Sequence, residues 1–218
     1  MKRLFALSLL LLLGNAFTQA MAQSPVAGED YIEIPNGRPL APAEGKVVVE
    51  EFFNYICPAC NKFEPQFLAW SKQLPAYVRV DHVPAAFRKD FTPYAHAYYT
   101  AQIFGLAEET HQAAYDAIHM TRRLPAEGQM PNEKRVAEFY ADYGADAQKF
   151  LATMQSFSVK SKVRRATEHM QRSKVRSTPS ILINGRYLVL GNSFSERLRI
   201  ARYLIEKEYA GLQLGKAQ

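Results

Sequence analysis

The chain has 218 residues, 48% of them hydrophobic and only 22% charged. That composition excludes a disordered or collagen-like protein and suits one domain, or one domain with a large insertion. The net charge is +6, with Lys2 and Arg3 in the first turn of the sequence, and this modest surplus does not by itself demand a nucleic-acid partner.

The first element is a leader. Met1-Lys2-Arg3 is basic, Leu4 to Leu13 is almost unbroken aliphatic, and Ala20-Met21-Ala22 fits a small-x-small cleavage site. Residues 1–22 therefore read as a secretory signal, with an uncleaved anchor as the alternative. The apolar run is shorter than the roughly 20 residues a spanning helix needs. No lipid-attachment cysteine follows it, so a soluble mature chain from Gln23 onward is expected, retained in the periplasm of a double-membrane bacterium.

Tyr31 to Ile34 reads as a short edge strand, and Lys46 to Tyr55, rich in valine and aromatics, as a central one. A helix is predicted from Pro58 to about Leu74, kinked at Pro65, which cannot donate a backbone hydrogen bond. Tyr77 to Val83 alternates apolar and polar residues and reads as a second strand, completing a βαβ unit. From about residue 90 to 172 the spacing is helical throughout. One helix stops at Gly105, a second spans roughly Glu108 to Met120, a third carries Val136, Phe139, Tyr140 and Tyr143, and a fourth carries Phe150, Leu151 and Met154. The last is amphipathic: Val159, Val163, Ala166 and Met170 form its apolar stripe. Lys160, Lys162, Arg164, Arg165 and Arg172 lie on its solvated side. Strands resume at Thr178 to Leu190, where Asn184-Gly185 joins two apolar runs as a hairpin. Phe194 to Tyr209 forms the closing helix.

Cys57-Pro58-Ala59-Cys60 contains the only two cysteines and lies where the central strand turns into a helix. A two-residue gap closes so small a loop that a disulfide there would constrain the unfolded chain little, which argues against a structural staple. Zinc fits poorly, because two cysteines supply half a tetrahedral site and no neighbouring histidine pair completes it. His111 and His119 are eight apart, whereas helical metal pairs sit at four, so no metal site is expected. At a helix N-terminus, unpaired N–H groups and the helix dipole favour a thiolate. The pattern reads as a redox-active pair, with Cys57 the exposed nucleophilic sulfur and Cys60 the resolving one.

These features together resemble the DsbA family of thioredoxin-fold thiol:disulfide oxidoreductases. Beside the CxxC, the resemblance rests on Glu51-Phe52-Phe53 before it, Phe63-Glu64 beyond it, Thr178-Pro179 ahead of the Asn184-Gly185 hairpin, and the helical block between the two halves. It implies an α/β thioredoxin fold over residues 23–218, interrupted by a helical insertion at about 90–172. It implies donation of the Cys57–Cys60 disulfide to newly exported proteins with free cysteines, and reoxidation by a DsbB-like inner-membrane partner. No cofactor and no nucleic-acid partner are expected, and the chain is expected to act as a monomer. Pro179 is expected to be cis, with Thr178 offering backbone hydrogen bonds to an extended substrate segment. Glu51 shares strand parity with Val47, Val49 and Phe53, which places it under the disulfide, where the resemblance suggests proton relay to Cys60. Glu64 is either a second supporting acid or an exposed helix residue. Pro58 and Ala59 set the chemistry between the sulfurs. Ala59 departs from the histidine of the family's strongest oxidants, and residues 77–83 lack a lysine to pair with buried glutamates. Competing functions are a periplasmic dithiol reductase or isomerase, and a substrate-binding chaperone with an incidental CxxC.

Overall fold

The computed structural model describes residues 24–216; the leader expected over residues 1–22 lies outside them. A five-stranded mixed sheet forms the centre. Its strands are β1 (Tyr31–Glu33), β2 (Val47–Phe53), β3 (Val78–Pro84), β4 (Ser180–Ile183) and β5 (Tyr187–Val189), in the order β1-β5-β4-β2-β3. β2 and β3 run parallel and the other pairings are antiparallel. Every residue of β2 is buried, because helices cover both faces of the sheet.

Strand alternation divides those faces. Val47 and Val49 join Ile181, Ile183 and residues of α1 (Pro58–Ser71) and α7 (Phe194–Lys216) in one apolar cluster. Phe52 belongs to the other cluster, shared with the helical block. That block lies between β3 and β4: α2 (Thr92–Phe104), α3 (Ala107–His119), α4 (Glu133–Ala141), α5 (Ala147–Met154) and α6 (Phe157–Arg172). Its boundaries have local causes. Gly105 ends α2 in the left-handed conformation at φ 73°, while Asn132, Asp146 and Ser156 accept backbone N–H groups at the starts of α4, α5 and α6. The basic residues of α6 Lys160, Arg164, Arg165 and Arg172 are exposed, as its stripe requires.

Three expectations need correction. α1 runs through Pro65, as expected, but ends at Ser71 and not near Leu74; Phe63, Glu64 and Phe67 are all buried around the proline, and that packing outweighs the roughly 3 kcal/mol of a lost interior helical bond. β3 forms but shows no inside–outside alternation: residues 78–82 are all half-buried, since the strand lies at the sheet edge with cover on both faces. α7 runs to Lys216, well past Tyr209, with Leu212 packed on the sheet cluster.

The hairpin between β4 and β5 follows its sequence signal. Asn184 and Gly185 both have positive φ, 51° and 67°, the geometry of a two-residue turn whose twist matches the strands. At Gly185 a Cβ would come within 2.0 Å of the Arg38 backbone, so no other residue fits there.

Candidate active site

The turn from β2 into α1 is built on Asn54. Its buried amide donates to the carbonyls of Ala85 at 2.7 Å and Phe91 at 3.1 Å, and its oxygen accepts from the Ile56 N–H at 3.2 Å. His119 Nε2 lies 2.7 Å from the Tyr55 carbonyl. These contacts fix the loop that delivers Cys57 to the N-cap of α1, with Pro58 at the first helical position, where a missing N–H costs nothing.

Both cysteines are free thiols. Cys57 Sγ accepts the Cys60 backbone N–H at 3.4 Å and donates to the Thr178 carbonyl at 3.5 Å. The Thr178–Pro179 peptide is cis, and Arg197 of α7 braces the loop by donating to the Pro179 carbonyl at 3.0 Å. Cys57 is not the exposed sulfur expected: it is 8% exposed, against 0% for Cys60, while Pro58 and Ala59 between them face solvent. A hydrogen bond from the Cys60 thiol, joined by the Thr178 side chain and the Cys60 and Ala59 N–H groups, outweighs burial and lowers the Cys57 thiol to about 6. Cys60 moves the opposite way. Burial, then its hydrogen bond to Cys57 and the charges of Cys57 and Glu51, push it well above the usual thiol range.

Beneath the dithiol lies a sealed polar cluster. Glu51 and Glu64 are both 0% exposed, so Glu64 is no surface residue; it takes the inward side of α1 beside Phe63 and Phe67. Burial first, then the charge of Glu64, push the Glu51 carboxyl well above the carboxylate range. Two histidines complete the cluster. His82 is the direct cross-strand neighbour of Glu51 in the β2–β3 register; its Nε2 lies 3.3 Å from Glu51 Oε2 and 3.8 Å from Glu64 Oε1. His111, from α3, places Nε2 3.2 Å from Glu64 Oε1, and its Nδ1 lies 3.0 Å from the Tyr55 hydroxyl. Burial and the neighbouring His111 lower His82 to about 4.

Neither His82 nor His111 is an exposed surface residue. His111 does not pair with His119 along α3; its histidine neighbour is His82 of β3, with ring centroids 4.7 Å apart. His82 takes the β3 position opposite Glu51 from which a lysine would pair with the buried glutamates. A second acid, Glu50, was overlooked: facing the opposite side of β2, it lies 3.0 Å from His169 Nε2 of α6 and accepts the Leu40 N–H at 2.7 Å.

A dithiol at the start of a helix, one thiol acidified and the other not, facing a cis-proline loop, defines a thioredoxin-fold disulfide-exchange site. The thioredoxin family model matches residues 38–200. The thiol:disulfide interchange proteins DsbA of Pseudomonas aeruginosa and Azotobacter vinelandii are 33% and 34% identical to this chain, over 88% of it and 89% of each of them. The crystal structure of the oxidoreductase DsbA from Xylella fastidiosa superposes with a TM-score of 0.82 at 39% identity, covering 86% of this chain and all of that one. The chain belongs to the DsbA family of thioredoxin-fold thiol:disulfide oxidoreductases.

Proposed function

We propose that the chain works as an oxidant in the periplasm, donating the Cys57–Cys60 disulfide to cysteines of newly exported proteins. The observation that carries this direction is the opposed treatment of the two sulfurs, which stabilises the reduced form as a Cys57 thiolate.

In the forward reaction a substrate thiolate attacks Cys57 Sγ. The new sulfur–sulfur bond forms as the Cys57–Cys60 bond breaks, and the electron pair stays on Cys60, which takes up a proton. A second substrate thiolate then attacks its partner sulfur in the mixed disulfide, and Cys57 leaves as thiolate. The substrate is oxidised by two electrons and this chain is reduced by two. A low pKa makes Cys57 the good leaving group of the second step, and a high one keeps the Cys60 product protonated. Glu51, held neutral by burial and by Glu64, stores a proton beneath Cys60, and Glu64 supports it there. The exposed Pro58 and Ala59 leave the rim of Cys57 open. Thr178 and Pro179 present the edge along which an extended substrate segment lies. A DsbB-like inner-membrane partner restores the disulfide, and the cycle needs only one copy of the chain.

The test is trapping. Cys60→Ala expressed in an exporting bacterium should accumulate mixed disulfides between Cys57 and exported proteins, seen as slow bands on gels run without reductant. The same bands persisting in Cys57→Ala would remove this site from the linkage. In glutathione buffers, an equilibrium favouring the disulfide form would make the chain a reductant.

A further inference from the structure

We propose that Glu64, His82 and His111 form a binding site for a divalent transition-metal ion, with Zn²⁺ the best match, directly beneath the dithiol. Glu64, His82 and His111 each offer a donor atom, all within 4.8 Å of one another. Tetrahedral Zn²⁺ with bonds near 2.0 Å has ligand–ligand edges of about 3.3 Å. These donors already show edges of 3.2 Å between His111 and Glu64 and 3.8 Å between His82 and Glu64.

The unmet demand of these atoms points to a cation. All four carboxylate oxygens and Nε2 of both histidines are sealed from solvent, and none makes a hydrogen bond of acceptable geometry. Such orphaned groups are costly unless something electropositive lies among them. Imidazole nitrogen with carboxylate oxygen selects Zn²⁺ and its transition-metal neighbours over Ca²⁺ or Mg²⁺, which take oxygen ligands.

Two further features fit. The Tyr55 hydroxyl at His111 Nδ1 holds the ring with Nε2 aimed at Glu64, the outer support that metal-binding histidines ordinarily have. Of the three, His82 reaches furthest toward solvent. His82 is 21% exposed at its side chain and lines a cavity of about 390 Å³, shared with Asp81, Tyr98, Tyr99, Lys162 and Arg165. The two basic residues of that cavity oppose an incoming cation, so loading is expected to be slow.

The experiment uses the oxidised protein, in which the Cys57–Cys60 disulfide removes both thiols as ligands. Cobalt(II), a spectroscopic substitute for zinc, is added overnight to the folded protein and, separately, during refolding. The expected result is one equivalent bound with the visible bands of tetrahedral Co²⁺, bleached by one equivalent of Zn²⁺. Tyr55→Phe, which keeps every ligand but removes the hydroxyl that orients His111, should weaken binding about tenfold to a hundredfold. His82→Gln, at a half-exposed strand position, should weaken it further and abolish the bands. Absence of the bands from the wild-type protein by both routes would overturn the proposal, since protons then satisfy the cluster. Bands of equal strength in His82→Gln would also overturn it, by placing the metal elsewhere.

Discussion

The Cys60 backbone N–H donates to Cys57 Sγ at 3.4 Å, so the resolving cysteine helps acidify the sulfur with which it forms the disulfide. The two thiols should therefore be far apart in reactivity. Brief iodoacetamide treatment of the reduced protein is expected to label Cys57 alone, with a rate that rises through a midpoint near pH 6 and levels off above pH 7. Mass spectrometry of the peptides checks the site. Preferential labelling of Cys60 would reverse the assignment.

Ala59 is exposed, and its N–H already faces the Cys57 sulfur. Ala59→His adds a donor and partial positive charge at that point, which stabilises the thiolate further. The glutathione equilibrium should move roughly threefold to tenfold toward the dithiol, since a tenfold change corresponds to about one pKa unit. Movement toward the disulfide would contradict the electrostatic account of this site.

The stability gap between the reduced and oxidised forms should depend on pH with a maximum. Between about pH 6 and the unfolded thiol value of about 8.5, the folded state has released the Cys57 proton and the unfolded state has not, so reduced-form stability rises with pH. Above 8.5 the sign reverses, because unfolded Cys60 loses its proton while folded Cys60 keeps it. Below pH 6 the Cys57 contribution is gone. The gain is roughly 1 kcal/mol at pH 7 and at most about 3 kcal/mol near pH 8.5. Denaturant melts of both redox forms from pH 5 to 10 measure it, and a flat difference would show that the thiols titrate alike.

His169→Leu should destabilise the fold by about 3–5 kcal/mol, the usual cost of stranding one partner of a buried pair. Glu50 would keep only the Leu40 N–H. Replacing both residues, as in Glu50→Gln with His169→Leu, should recover part of that loss. Urea melts decide it, and a loss below about 1 kcal/mol would mean that water reaches Glu50.

Gly185→Ala should cost several kcal/mol, because the new methyl meets the Arg38 and Pro39 backbone within 2.5 Å at a positive φ. Gly128→Ala, whose Cβ would meet nothing within 4 Å at φ 84°, measures the conformational part alone, roughly 1 kcal/mol. Equal losses at the two sites would refute the steric reading.

Local signals were legible wherever one segment carried the whole message. The CxxC at a strand–helix junction, the Asn184-Gly185 turn, the Gly105 stop and the parity of Glu51 all follow from short-range chemistry. What escaped is what the fold assembles from distant segments. His82 could have been found by pairing β2 with β3 in register once the βαβ unit was recognised, since it falls opposite Glu51. His111 offered no such handle, because its approach to Glu64 depends on how the inserted helices fold back over the sheet. Glu50 was masked by its neighbour: two acids in succession on a strand buried on both faces must point to opposite sides, and only one side was considered.

Strand β2 is spelled Val-Val-Val-Glu-Glu-Phe-Phe, and a slip of one residue along its neighbours would put like on like at four of the seven places. With both faces buried, the usual penalty for turning an apolar side chain to water cannot choose between frames. The choice falls to Asn184, whose main-chain N–H donates to the Val48 carbonyl at 2.7 Å while its side-chain oxygen accepts the Val48 N–H at 2.8 Å. The strand that carries the acids beneath the dithiol is thus held in frame by a turn residue 136 positions away. The frame of the acids depends on a residue near the far end of the sequence.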